Sequence, residues 1–210
     1  MCLVETDGAL IRRAIEGDDD AFAIIVDRYK HSLINYLTHL TRSHERAEEI
    51  AQDAFVRLYR NASRCREEER LGPFLFRIAT NLAITEARRD QRWKRLLPRF
   101  IASHPTSAPP AEHALLTDEV QQKVSAALDQ LPLTFRAPLV LFEIEEWSYD
   151  EIARALECRI GTVKSRISRA RALMRTQLES WWIGGNDEGH GRWKCAAAPS
   201  ANDAVASLHI

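Results

Sequence analysis

Apolar residues recur along most of this chain every three or four positions, and no stretch alternates as a strand would. Ala9 to Glu16 reads as a short helix stopped by Gly17, and Asp18, Asp19 and Asp20 then offer capping carboxylates to the next. That helix carries Phe22, Ile25, Tyr29, Leu33, Tyr36 or Leu37, and Leu40 as an inward stripe. A third runs from Ser43 or His44 to Asn61, with Ile50, Ala54 and Leu58 inside and Glu49, Gln52, Asp53 and Arg57 outside. After a charged loop, Pro73 suits the first turn of a fourth helix whose expected inner positions are Ile78, Leu82 and Thr85. Residues 98–117 are rich in Pro, Ser and Ala and read as a flexible linker. Beyond it come a helix from Asp118 to Gln130 and one carrying Phe135, Leu139 and Phe142 around an internal Pro138. The pattern predicts an all-α protein of two helical domains, 1–97 and 118–180, followed by a disordered extension, 181–210. Trp181, Trp182 and Trp193 sit oddly in a solvated tail.

The second domain closes with WSYDEIARALECRIGTVKSRISRARALM, residues 147–174. Ser148 and Glu151 have capping-box spacing, and Glu157-Cys158-Arg159 reads as a turn. In the helix that follows, Val163, Ile167, Ala170 and Met174 fall on one buried face. The other face carries Ser165, Ser168, Arg169 and Ala172, flanked by Lys164, Arg166 and Arg171. From Arg159 to Arg175, ends included, there are six basic residues and no acid, whereas a merely solvated helix mixes both signs. Small residues beside cations suit a helix that enters a major groove, which makes this a helix-turn-helix.

The fourth helix is the other informative stretch. Phe74, Phe76 and Asn81 precede a basic end, with Arg88, Arg89, Arg92, Lys94 and Arg95 against the single acid Asp90. Aromatics stack unpaired bases, an amide reads a base edge, and arginines track phosphates. Phenylalanines at helical spacing serve a core equally well, so both roles stand open for Phe74 and Phe76. A net charge of −1 means that any affinity for nucleic acid comes from such local patches. Cys2, Cys65, Cys158 and Cys195 lack metal-site spacing and read as reduced thiols of a cytoplasmic protein. His44 with Glu48, and the run Asp18-Asp19-Asp20, fall short of a metal-hydrolase ligand set, so no metal or cofactor is expected. No apolar run reaches membrane-spanning length.

Taken together, AFAIIVDRYKHSLINYL, AEEIAQDAFVRLYR, FLFRIATNLAITEARR, LPLTFRAPLVLFEIEEWSYDEIARAL and GTVKSRISRAR resemble, in order and spacing, the extracytoplasmic-function (ECF) group of the sigma-70 family over roughly residues 10–178. The resemblance implies a promoter-specificity subunit of bacterial RNA polymerase, not an enzyme. It implies docking of Glu49, Gln52 and Asp53 on the beta-prime clamp helices, with the beta subunit as a further partner. It also implies capture of the melted −10 strand around Phe74, Phe76 and Asn81, with Arg88, Arg89 and Arg92 on phosphates. Reading of the −35 duplex falls to Thr162, Lys164, Ser165, Arg166, Ser168, Arg169 and Arg171. Relatives are commonly held by an anti-sigma factor, though no residue here identifies one. The rival reading is a helix-turn-helix operator-binding regulator that acts without polymerase. Such a protein would have no use for the Glu49 cluster or the Asn81 segment.

Overall fold

The computed structural model describes residues 5–62, 71–96 and 119–184, and every regular element among them is helical. The first unit comprises α1 (Asp7–Ile15), α2 (Asp19–Thr41), α3 (His44–Arg60) and α4 (Leu71–Leu96). The second comprises α5 (Glu119–Gln130), α6 (Leu133–Glu143), α7 (Tyr149–Ala155) and α8 (Ile160–Gly184). The linker expected at 98–117 and residues 185–210 lie outside the described residues, as do Cys2, Cys65 and Cys195. The tail expected from 181 begins later, because α8 continues through Gly184.

Helix starts are set by side chains that satisfy free backbone N–H groups. Asp18 accepts from the Ala21 amide at 3.1 Å and Ser43 from the Arg46 amide at 3.3 Å. The Ala21 N–H and the Arg13 guanidinium hold the Asp18 carboxyl below the usual carboxylate range, which fits a cap rather than a metal ligand. At α7 the capping box is complete. Ser148 Oγ accepts from the Glu151 amide at 3.3 Å, and Glu151 Oε2 accepts from the Ser148 amide at 3.1 Å.

In the first unit α2 packs on α1, α3 and α4, and Ile25, Leu33, Tyr36, Leu37 and Leu40 are buried along it. Gly72 sits close against this helix, since a Cβ there would lie 3.2 Å from the Tyr29 ring. Tyr36 is fully buried, and its hydroxyl meets Thr80 Oγ1 at 2.8 Å. Because Thr80 donates to the Phe76 carbonyl, Tyr36 is the donor of this pair. The inner stripe expected on α4 was out of phase. Leu75, Phe76, Ala79 and Ala83 are buried, Ile78 and Leu82 are half-buried, and Thr85 is exposed. The reason is that α4 has two sets of neighbours, α2 and α3 on one side and α7 of the second unit on another. Its first six residues are therefore buried all round, and no single stripe describes them.

The two units touch directly. Trp147, between α6 and α7, lays its ring 4.6 Å from that of Phe76, whose other neighbour is Tyr36 at 5.2 Å. Glu145 accepts from Ser32 and from Asn35, the latter at 3.0 Å, and Arg77 pairs with Glu157 at 3.2 Å. The buried centre of this contact is Arg136 on α6, only 3% exposed. Its guanidinium donates to the carbonyls of His39 (3.2 Å) and Leu40 (3.3 Å), which end α2. It also donates to the carbonyls of Asp129 and Leu131 (2.8 Å) at the end of α5. One cation thus caps two helix C-termini, where carbonyls lack intrahelical partners and the dipole favours positive charge. Burial, with Arg42 nearby, pushes its pKa down to about 10 against the pull of Asp129, so it remains charged at neutral pH. Burial also holds the adjacent His39 imidazole below its ordinary value. Asp129 opposes that shift and Arg136 adds to it.

Replacing Arg136 with Ala strands these carbonyls, and is expected to lower stability by about 3 kcal/mol in urea denaturation. Lys at the same position should recover only part of the loss, since one ammonium has three donors and no planar fork.

Candidate nucleic-acid interface

The helix-turn-helix is built by α7 and α8. Glu157 takes a left-handed backbone (φ 47°) in the turn between them, a conformation that costs an L-residue roughly 1 kcal/mol. Packing repays it. Ile152, Ala153 and Ala155 of α7 and Val163, Ile167, Ala170 and Met174 of α8 are buried together over α5 and α6. With that face of α8 fixed inward, Lys164, Ser165, Ser168 and Arg169 are turned out and exposed, as expected. Thr162 and Arg166 are half-buried beside them. Ser165 donates to the Thr162 carbonyl at 2.9 Å, which holds the hydroxyl back against the helix and lowers the surface around it. Lys164 lies 5.4 Å over the Tyr149 ring.

Arg171 departs from expectation. Expected from sequence at the −35 duplex, it is half-buried and tied back to the protein, with Nε donating to Glu143 Oε1 at 2.7 Å and its guanidinium 5.2 Å over the Phe142 ring. The Glu143 side chain is only 6% exposed, so the pair is a structural tie between α6 and α8.

On the first unit the expected strand-binding cluster divides. Asn81, Arg88, Arg89 and Arg92 are all exposed on α4. Phe74 and Phe76 are 8% and 0% exposed, so in this arrangement neither can stack a base. Phe76 is enclosed by Tyr36 and Trp147, and Phe74 sits under the Arg77 guanidinium at 4.7 Å. Of the two roles left open for them, the core role is the one observed. A cleft of about 410 Å³ lies beside Phe74, walled by Pro73, Arg77, Arg154, Glu157 and Arg159, where the start of α4 faces the helix-turn-helix turn.

Glu49, Gln52 and Asp53 are exposed on α3, on the side away from buried Ile50, Ala54 and Leu58. Sequence reading missed their apolar continuation: Val56 is 47% exposed, one turn on from Gln52 and Asp53. A valine in an amphipathic helix is ordinarily taken as inward. Its offset from the stripe was the available signal. His44 and Glu48 form an exposed pair at 3.4 Å, and no three potential ligands gather as a metal site among the described residues. Nor is any described helix long and apolar enough to cross a membrane.

Residues 25–94 match the sigma-70 region 2 family and residues 121–174 the sigma-70 region 4 family. The RNA polymerase sigma-H factor of Pseudomonas aeruginosa is 32% identical over 189 residues, which is 85% of this chain and 97% of that protein. The ECF RNA polymerase sigma-E factor of Escherichia coli K12 is 30% identical over 184 residues, 83% of this chain and 95% of that protein. Among solved structures, the sigma factor RpoE of Bartonella quintana in complex with the anti-sigma factor NepR matches with a TM-score of 0.61 at 25% identity. It covers 75% of this chain and 96% of that one. CnrH, in complex with the cytosolic domain of CnrY, shares the fold with a TM-score of 0.63 at 22% identity, covering 84% and 99%.

Arg171→Ala leaves Glu143 buried without its cation and is expected to cost about 3 kcal/mol of stability. Exposed Arg169→Ala should stay within about 0.5 kcal/mol of the parent. Urea midpoints of the two variants check the difference.

Proposed function

The chain belongs to the sigma-70 family, in its extracytoplasmic-function group, and we propose from this how its surfaces divide the work of a sigma factor. It is a transcription-initiation factor that directs core RNA polymerase to promoters. The work is binding and positioning, without a catalytic step of its own, and it is done in the cytoplasm where polymerase meets the chromosome. The outward side of α3, with Glu49, Gln52, Asp53 and now Val56, docks on the beta-prime clamp helices, and a second contact is to the beta subunit. A helix side of two carboxylates and an amide, ended by an exposed valine, suits a basic helical partner.

The second unit, residues 118–180 with α8 extended to Gly184, reads the −35 duplex through Thr162, Lys164, Ser165, Arg166, Ser168 and Arg169. Serines allow close approach and Arg169 has the reach for a bidentate contact to a guanine edge. The first unit, residues 1–97, holds the melted −10 strand at Asn81, and Arg88, Arg89 and Arg92 follow its phosphates. Binding an extruded base offsets the few kcal/mol lost on unstacking it. Residues 98–117 let the two units take separate stations on one promoter. An anti-sigma factor is the partner that would hold the units off polymerase, and the RpoE structure that the fold resembles is a complex with one, NepR.

The observation that carries this reading is the joint exposure of three surfaces: the Glu49 cluster, Asn81 with its arginines, and the outer face of α8. An operator-binding regulator requires only the last of them.

Asp53→Arg is expected to weaken association with core polymerase by about 2 kcal/mol or more, with helical content by circular dichroism unchanged. Wild-type protein with core polymerase should start promoter-directed transcripts that core alone does not. Protection of a palindromic duplex by the isolated chain as a dimer would overturn the proposal in favour of the regulator.

A further inference from the structure

The basic end of α4 carries one residue that no surface above has used. Trp93 is 54% exposed, the most open of the large apolar side chains among the described residues. It lies one turn beyond Arg89 and next to Arg92, and with Thr85, Arg88, Arg89 and Arg92 it lines an open cleft of about 430 Å³. All five are exposed and fall on the side of the helix that also carries Asn81. The acids of α4 are turned the other way. Asp90 accepts from Arg46 of α3 at 2.7 Å, and half-buried Glu86 acts on the same guanidinium. The helix end therefore sorts its charges, with anions toward α3 and cations around the open indole.

We propose that Trp93 is a stacking platform for an unpaired base of the promoter strand, at the far end of the face that begins at Asn81. The proposal rests on the reading of Asn81 and the arginines given above, and adds the residue that would fix the strand's other end. A cleft with cationic walls and one flat aromatic surface matches a polymer of phosphates and planar bases. An acidic peptide would satisfy the cations and leave the indole without a planar partner. Asn81 and Trp93 are about 18 Å apart along the helix, at roughly 1.5 Å per residue. A stacked strand advances roughly 3.4 Å per nucleotide, so the two contacts lie no more than about five nucleotides apart. An indole on an exposed helix also explains why this end of α4 is not simply polar.

The test uses holoenzyme reconstituted from the full chain and core polymerase. Its probe is a promoter fragment recovered by wild-type holoenzyme from a random duplex library, with the −10 segment kept unpaired by mismatches. Single abasic positions are then scanned along the unpaired strand. W93A is expected to raise Kd about tenfold, and W93F to stay within about threefold of wild type. The W93A defect should vanish at one abasic position, no more than about five nucleotides from the one that erases the Asn81→Ala defect. Trp93 is excluded if W93A binds as wild type, if its defect is the same at every abasic position, or if W93L rescues as well as W93F. The last result would mean a contact without stacking. Wild-type holoenzyme that is insensitive to every abasic position would overturn the strand reading of the whole α4 face, and Trp93 with it. W93F and W93L are compared with each other, so the outcome stands even if the alanine variant folds poorly.

Discussion

A guanidinium excluded from water needs oxygen acceptors, and the two Nη groups of Arg136 find them in four backbone carbonyls, with the Asp129 carboxylate 3.8 Å away and Nε left without a partner among the described residues. The carbonyls it uses are those that α2 and α5 leave unsatisfied at their ends. Much else follows from this placement. It fixes the end of α2 against α6, which brings the α6–α7 connection, and with it Trp147, over Phe76. The helix-turn-helix then faces the start of α4, where Arg77 and Glu157 pair. Removing Arg136 would leave the buried carbonyls at the ends of α2 and α5 without donors, so the arrangement is held by the penalty for leaving it.

Periodicity read from sequence recovered the helices and their boundaries well wherever a helix has one buried face. The caps at Asp18, Ser43 and Ser148, and the buried positions Val163, Ile167, Ala170 and Met174, are local features that spacing reports directly. It failed on α4, where two sets of neighbours bury most of the first turns and the stripe loses its phase. The same cause hid the fate of Phe74 and Phe76, because an aromatic suited to a base is equally suited to a second unit of the same chain. Arg171 was misplaced for a related reason. In sequence it is one more cation in a run, and only the fold brings Glu143, 28 residues earlier, beneath it.

Contact between the units leaves the three proposed binding surfaces uncovered. The outer face of α8, the Asn81 side of α4 and the Glu49 side of α3 are all open while the units are joined. Only the aromatic pair at the start of α4 is covered. The join therefore covers Phe74 and Phe76 and leaves Asn81, Arg88, Arg89, Arg92 and Trp93 open.

The tie between Arg171 and Glu143 has a consequence for the ionic atmosphere of the promoter. A protein cation displaces a condensed counterion from DNA only if its charge is free to replace that ion at a phosphate. Arg171 is already balanced inside the second unit, so it contributes rigidity to the recognition helix and little to the entropy of ion release. Fewer small ions leave the duplex than the run of arginines in the sequence would suggest, and binding by this helix is correspondingly less sensitive to the salt around it.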